Sequence, residues 1–160
     1  DKVWFVVSPH NPLKETSSLL DENARYHLVN IAIEEDDRMK ASNIEFSLPR
    51  PSYTSITLAH LTEKYPHYQF YIIMGSDSFQ NIHRWKNYSF ILDNYKILVY
   101  KRPGFEMAEP YHTNVHALKA PLLELSATHI RNLIKQKKSL RYLLPDAVIT
   151  EIEKAGHYRK

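Results

Sequence analysis

The chain has 160 residues, 43% hydrophobic, 24% charged and 12% aromatic, a size and balance that suit one folded domain and exclude a disordered or fibrous chain. Its formal charge of +3 suits phosphorylated small molecules or nucleic acid, and equally an ordinary solubilising surface. No run approaches the roughly 20 apolar residues of a membrane span, no basic-then-apolar leader follows Asp1-Lys2, and the absence of cysteine excludes disulfides and thiolate chemistry and makes the cytoplasm the default compartment.

Val3-Trp4-Phe5-Val6-Val7 is a short β-branched and aromatic run that reads as a buried strand, ending in the loop Ser8-Pro9-His10-Asn11-Pro12. Leu28, Ile31 and Ala32 recur at helical spacing between Glu22 and Glu35, behind Asp21 as a cap. Asn43 to Ser47 is expected as a second short strand. Ser52 to Tyr65 reads as a helix with the stripe Leu58, Leu61 and Tyr65, stopped by Pro66.

Gln69 to Met74 is again a buried strand, closed by Gly75-Ser76-Asp77. A short helix then leads through Trp85 to Leu92, and Tyr95 to Tyr100 forms the next strand before Arg102-Pro103-Gly104. Two weak strands, Val115 to Leu118 and Leu122 to Leu125, precede helices at Ala127 to Lys135 and Pro145 to Lys154. Apolar strands alternating with helices predict an α/β fold: a parallel sheet covered on both faces, with ligands at the carboxyl ends of its strands.

Only Gly75, Gly104 and Gly156 occur, so neither a GxxxxGKS/T loop nor a GxGxxG turn can be written. Any phosphate must be held by helix starts and side chains. The interesting residues collect where strands end: Ser8 to Lys14, Gly75 to Asp77, Lys101 to Gly104 and Ser126 to Arg131, all expected along one edge. Ser126 and Arg131 place a hydroxyl and a guanidinium at a helix start, where backbone donors and the helix dipole favour an anion. The alternative is that Ser126 only caps its helix and Arg131 is solvated.

Asp77 after a buried strand suits ribose hydroxyls, an amine or a magnesium-bound water, or it caps the next segment. Trp85 beside Lys86 offers a flat face for a base or pyridine ring, or belongs to the core. The hydroxyls of Pro51-Ser52-Tyr53-Thr54 reach a ligand or cap a helix. His112 and His116 have ligand-pair spacing but no helix to present it, and Lys135, Lys137, Lys138 and Arg141 read as a solvated basic run.

Ser8-Pro9-His10-Asn11-Pro12-Leu13-Lys14, Pro51-Ser52-Tyr53-Thr54, Gly75-Ser76-Asp77-Ser78 with Trp85, Lys101-Arg102-Pro103-Gly104 and Ser126-Ala127-Thr128-His129-Ile130-Arg131 follow one another in an order that closely resembles the bacterial nicotinate-nucleotide adenylyltransferases. The likeness runs from Lys2 to Gly156. Its last element is similar to the second signature of the nucleotidyltransferase superfamily.

The resemblance implies a Rossmann-like doubly wound sheet, residues 1–160 as one nucleotidyltransferase domain, and adenylyl transfer from ATP to nicotinate mononucleotide with Mg2+ present. It implies that Ser126 and Arg131 hold ATP phosphates and act in catalysis, with Thr128 near them and Asp77 in the nucleotide cleft. Thr54 and Trp85 match positions that receive the nicotinate ring, and Lys14 and Arg102 match basic positions bordering the site. Ala127 stands where threonine is commoner. No protein metal site, nucleic acid or membrane partner is implied, and a homo-oligomer is left open.

The family's opening strand, with its histidine-x-glycine-histidine loop, has no counterpart here. The expectation is therefore that Asp1 is internal to a longer protein and that these 160 residues alone are inactive. A related transferase using nicotinamide mononucleotide or phosphopantetheine shares the ATP side. A catalytically silent nucleotide-binding module, or a basic nucleic-acid binder, is the alternative of a different class.

Overall fold

The computed structural model describes residues 1–12, 19–107 and 112–159. They form two compact units, one of residues 1–52 and 125–160, the other of residues 53–124.

In the first unit, β1 (Val3–Val6) pairs in parallel with β2 (Met39–Ser42), Val3 opposite Met39 and Val6 opposite Ser42. A parallel pair needs a crossover, supplied by α1 (Glu22–Ile33). The Asp21 carboxylate starts that helix by accepting the Asn23 N–H at 2.9 Å and the Ala24 N–H at 3.4 Å, and the Asn23 amide holds its carboxyl below the usual carboxylate range. Leu28 and Ile31 pack against a core of Ile130, Ile134, Leu140, Val148 and Ile152 from α5 (Ala127–Lys135) and α6 (Asp146–Ala155). The seam is narrower than the sequence stripe: Ala32, one step round the helix from Ile31, faces solvent.

The second strand falls earlier than Asn43 to Ser47. The ladder closes where the Val7 N–H meets the Ser42 carbonyl at 2.9 Å, and Ile44–Ser47 then curl into a 3-10 turn that buries Ile44 and Glu45. Alternating Ile44 and Phe46 suit such a turn as well as they suit a strand.

In the second unit, β3 (Tyr71–Gly75), β4 (Lys96–Tyr100) and β5 (Val115–Leu118) lie in that order, all parallel. Ile97 and Val99 of the central strand are 0% exposed and pack with Leu58, Met74, Ile82, Ile91 and Val115. Leu58 comes from α2 (Thr54–Lys64), whose last turn closes at Tyr65 before Pro66. The parallel sheet thus forms two ladders among the described residues. Burial is uneven: β4 buries Ile97 and Val99 on one face and half-buries Leu98 and Tyr100 on the other, whereas β1 and β3, outer strands of their ladders, leave Val3, Phe5, Tyr71 and Ile73 exposed.

The single helix expected after Gly75 is broken into α3 (Ser76–Phe79), a 3-10 turn (Ile82–Arg84) and α4 (Tyr88–Asn94), the last beginning at a left-handed Asn87 with φ 56°. Leu122 to Leu125 is no strand. Pro121 has no N–H to give a ladder, and the segment is held instead by the Tyr100 hydroxyl, which donates to the Pro121 carbonyl and accepts the Leu123 N–H at 2.9 Å. Among the described residues no helix is long and apolar enough to cross a membrane.

Ile97→Ala should lower the unfolding free energy by about 2–5 kcal/mol in urea titration, because the cavity opens in the central strand. Ile73→Ala, at a site 55% exposed, should cost under about 1 kcal/mol.

Candidate functional site

The first unit presents the tip of α5. Ile130 and Ile134, four residues apart, are buried, so the helix is pinned by one seam and its start is left outward. Ser126 is extended (φ −131°, ψ 151°) and its Oγ accepts the His129 N–H at 3.1 Å. The capping alternative is therefore realised, and the hydroxyl proton is still there to donate. The N–H groups of the helix's first residues have no acceptor within it. Arg131 is not a freely solvated residue: it is half-buried, its Nη2 donates to Thr128 Oγ1 at 3.4 Å, and its Cζ lies 5.9 Å from the Tyr158 ring centroid.

In the same unit Arg25 of α1 donates to the carbonyls of Ser8 (2.8 Å), Pro9 (3.4 Å) and Leu20 (3.0 Å). It fastens both ends of the loop after β1, a role that sequence reasoning missed. Lys14 sits within 13–18, outside the described residues.

The second unit joins two of the four strand-end segments, Gly75 to Asp77 and Lys101 to Gly104. The fully buried Ser76 Oγ accepts the Arg102 N–H at 2.9 Å, and Arg102 Nη1 meets Asp77 Oδ2 at 3.3 Å, with both side chains one-third exposed. Asp77 therefore stands inside the first turn of α3 rather than capping it, and it shares its charge with Arg102. A Cβ at position 75 would run into Asp77 Oδ1 and lie 3.0 Å from Arg102 Cδ, so any larger residue there must displace these two side chains from the arrangement seen. Arg102 to Phe105 form a turn closed by the Phe105 N–H on the Arg102 carbonyl at 3.1 Å, with Pro103 second and Gly104 at φ 78° third, the arrangement of a type II turn.

Thr54 opens α2, whose start has no side-chain cap, and the nearby Ser52 and Ser55 hydroxyls are buried without a hydrogen-bond partner. Lys86 Nζ lies 4.4 Å over the Tyr53 ring, which ties the Trp85-Lys86 turn to the Thr54 end of α2. Trp85 is half-buried and packs against the core of this unit. His112 Nε2 lies 3.4 Å from Asp93 Oδ1, while His116 is exposed on β5. Among the described residues no group of three or more His, Asp or Glu could hold a metal ion.

Parallel ladders with these strand-end turns make a nucleotidyltransferase-type α/β fold. Residues 1–133 match the cytidylyltransferase-like family, and the chain belongs to it. Over 163 residues it is 47% identical to a protein of Flavobacterium psychrophilum curated as "probable nicotinate-nucleotide adenylyltransferase", covering all of this chain and 84% of that one. A protein of the same name from Clostridium tetani is 34% identical over 169 residues, at 99% and 84% coverage. Among solved structures, the nicotinic acid mononucleotide adenylyltransferase of Plasmodium falciparum complexed with NaAD matches the fold with TM-score 0.81 at 19% identity, covering 98% of this chain and 82% of that one.

Ser76→Ala should destabilise the protein by about 1–3 kcal/mol by leaving the Arg102 N–H unsatisfied. The readout is the denaturation midpoint, with Ser78→Ala, on a half-buried position of the same helix, as the comparison.

Proposed function

We propose adenylyl transfer from ATP to nicotinate mononucleotide as the reaction of the protein that carries this chain. The mononucleotide's phosphate oxygen attacks the α-phosphorus, a new P–O bond forms, the bond to the bridging oxygen breaks, and pyrophosphate leaves with that electron pair. The observation that carries the reading is the α5 tip, where a capping hydroxyl, open backbone donors and a restrained guanidinium stand together. The name carried by relatives of nearly full coverage supports it.

The attacking phosphate is already a nucleophile, so the protein needs no covalent step. It supplies alignment, worth up to roughly 7–11 kcal/mol, and donors for charge growing on the leaving group. In this reading Arg131 and Ser126 hold ATP phosphates, with Thr128 keeping the guanidinium forward. Asp77 faces the nucleotide, with Arg102 limiting its charge. Thr54 meets the nicotinate carboxylate end through the uncapped start of α2, Trp85 gives the pyridine ring its face, and Lys14, outside the described residues, keeps only the basic role that the resemblance implies.

Magnesium suits this donor set as an ion carried by the ATP phosphates. Mg2+ keeps several waters and needs only one or two carboxylates beside substrate phosphates, and Asp77 is the carboxylate available through such a water. When bound, the ion neutralises charge on the pyrophosphate. The cytoplasm is the compartment of the same reading, consistent with a chain without cysteine.

Turnover of nicotinate mononucleotide against nicotinamide mononucleotide, each with ATP and Mg2+, tests the assignment; equal or better use of the amide overturns the acceptor. Arg131→Ala should lower kcat/KM by about 10²-fold or more, by analogy with other lost transition-state donors. Ser126→Asp keeps a good cap but sets a negative charge against the phosphates, so fold stability should persist while ATP turnover falls. Retained turnover would leave Ser126 as a cap only.

A further inference from the structure

We infer that Tyr158 is a positioning residue for Arg131: its ring forms a fixed wall that holds the guanidinium at the tip of α5 for ATP phosphates. The inference rests on the reading of Arg131 given above and adds a residue beyond the 126–131 motif.

Four observations place Tyr158 there. First, the chain is turned back deliberately after α6. The His157 N–H bonds the Ile152 carbonyl at 3.0 Å and the Gly156 N–H the Glu153 carbonyl at 3.3 Å, with Gly156 left-handed at φ 67°, the pattern of a Schellman stop. Arg159 adds a bond from Nη2 to the Glu153 carbonyl at 2.8 Å.

Second, Tyr158 itself sits at φ 61°, a conformation that a bulky side chain adopts only when its surroundings impose it. Third, the ring packs on the Ile130, Ile134 and Ile152 cluster, so its position is set by the same core that sets α5. Fourth, Arg131 Cζ stands 5.9 Å over that ring, within cation–π range, while Nη2 of the same guanidinium donates to Thr128 Oγ1 at 3.4 Å. Burial pushes the phenol above its usual pKa, opposed chiefly by the charges of Arg131 and Arg25.

An arginine on an exposed helix tip samples many rotamers, and freezing them on binding weakens the hold on a ligand. A ring wall and a hydroxyl acceptor on the same guanidinium reduce that loss in advance. Tyr158 touches no substrate in this arrangement; it acts through Arg131.

The test is a double-mutant cycle in the full-length protein, read as kcat and as separate KM values for ATP and nicotinate mononucleotide. Tyr158→Leu should lower kcat/KM for ATP by about tenfold, leave the mononucleotide KM within about twofold, and have no further effect in an Arg131→Ala background. Tyr158→Phe, which keeps the ring, should recover most of the loss. Should Tyr158→Leu fold poorly, Tyr158→Met fills most of the volume without a π face and carries the same expectation.

A loss that falls equally on both substrates, persists undiminished beside Arg131→Ala, or stays below about threefold overturns the inference and leaves Tyr158 as a core residue. If Arg131→Ala is itself neutral, the phosphate role of Arg131 fails instead, a result that the single variant reports independently of Tyr158.

Discussion

The burial of Ile130 and Ile134 fixes what the α5 tip can offer. Two isoleucines four residues apart define one face of a helix, and burying each is worth about 1.5–3 kcal/mol. The bond from Arg131 to Thr128, long at 3.4 Å and exposed, is far too weak to orient a helix. Packing therefore sets the rotation of α5, and polar contacts only refine where its side chains end. Three glycines allow neither a GxxxxGKS/T loop nor a GxGxxG turn within these residues, so among them helix starts and side chains are what an anion is offered.

The turn after β3 follows the same order of strengths. The Asp77 to Arg102 ion pair is one-third exposed on both sides, and pairs of that kind contribute about 0–1 kcal/mol. The Ser76 hydroxyl is fully buried, and losing it would leave the part-buried Arg102 N–H without its acceptor. The backbone bond, more than the charges, locates Arg102. The charges then follow, and the Asp77 carboxylate stands partly neutralised by Arg102.

Features written in contiguous residues were legible. Ala127–Lys135 was expected as it stands, with Ser126 as a local capping signal ahead of it; Val115–Leu118 was likewise read in full. Leucine richness at 122–125 misled, since a phenol from β4 rather than a ladder holds that segment. Three features escaped: the Arg25 clamp, the Asp77 to Arg102 pair and the Tyr158 wall each join residues far apart in the chain. The pair depends on the register that sets Gly75 beside Tyr100, which no local pattern encodes. The resemblance supplied the roles of single residues, but not the residues that hold them in place.

Gly75 and Gly104 differ in what a diversified library would recover from them. Position 104 is limited by torsion alone, since nothing lies within 4 Å of an added Cβ, and asparagine, which tolerates a left-handed backbone, could replace its glycine. Position 75 has an ordinary β-region backbone, φ −78°, so its restriction is purely volumetric: every side chain enters space held by Asp77 and Arg102. A larger residue at 75 makes the Asp77 and Arg102 side chains shift, so that one site is an isolated choice and the other is read together with 77 and 102.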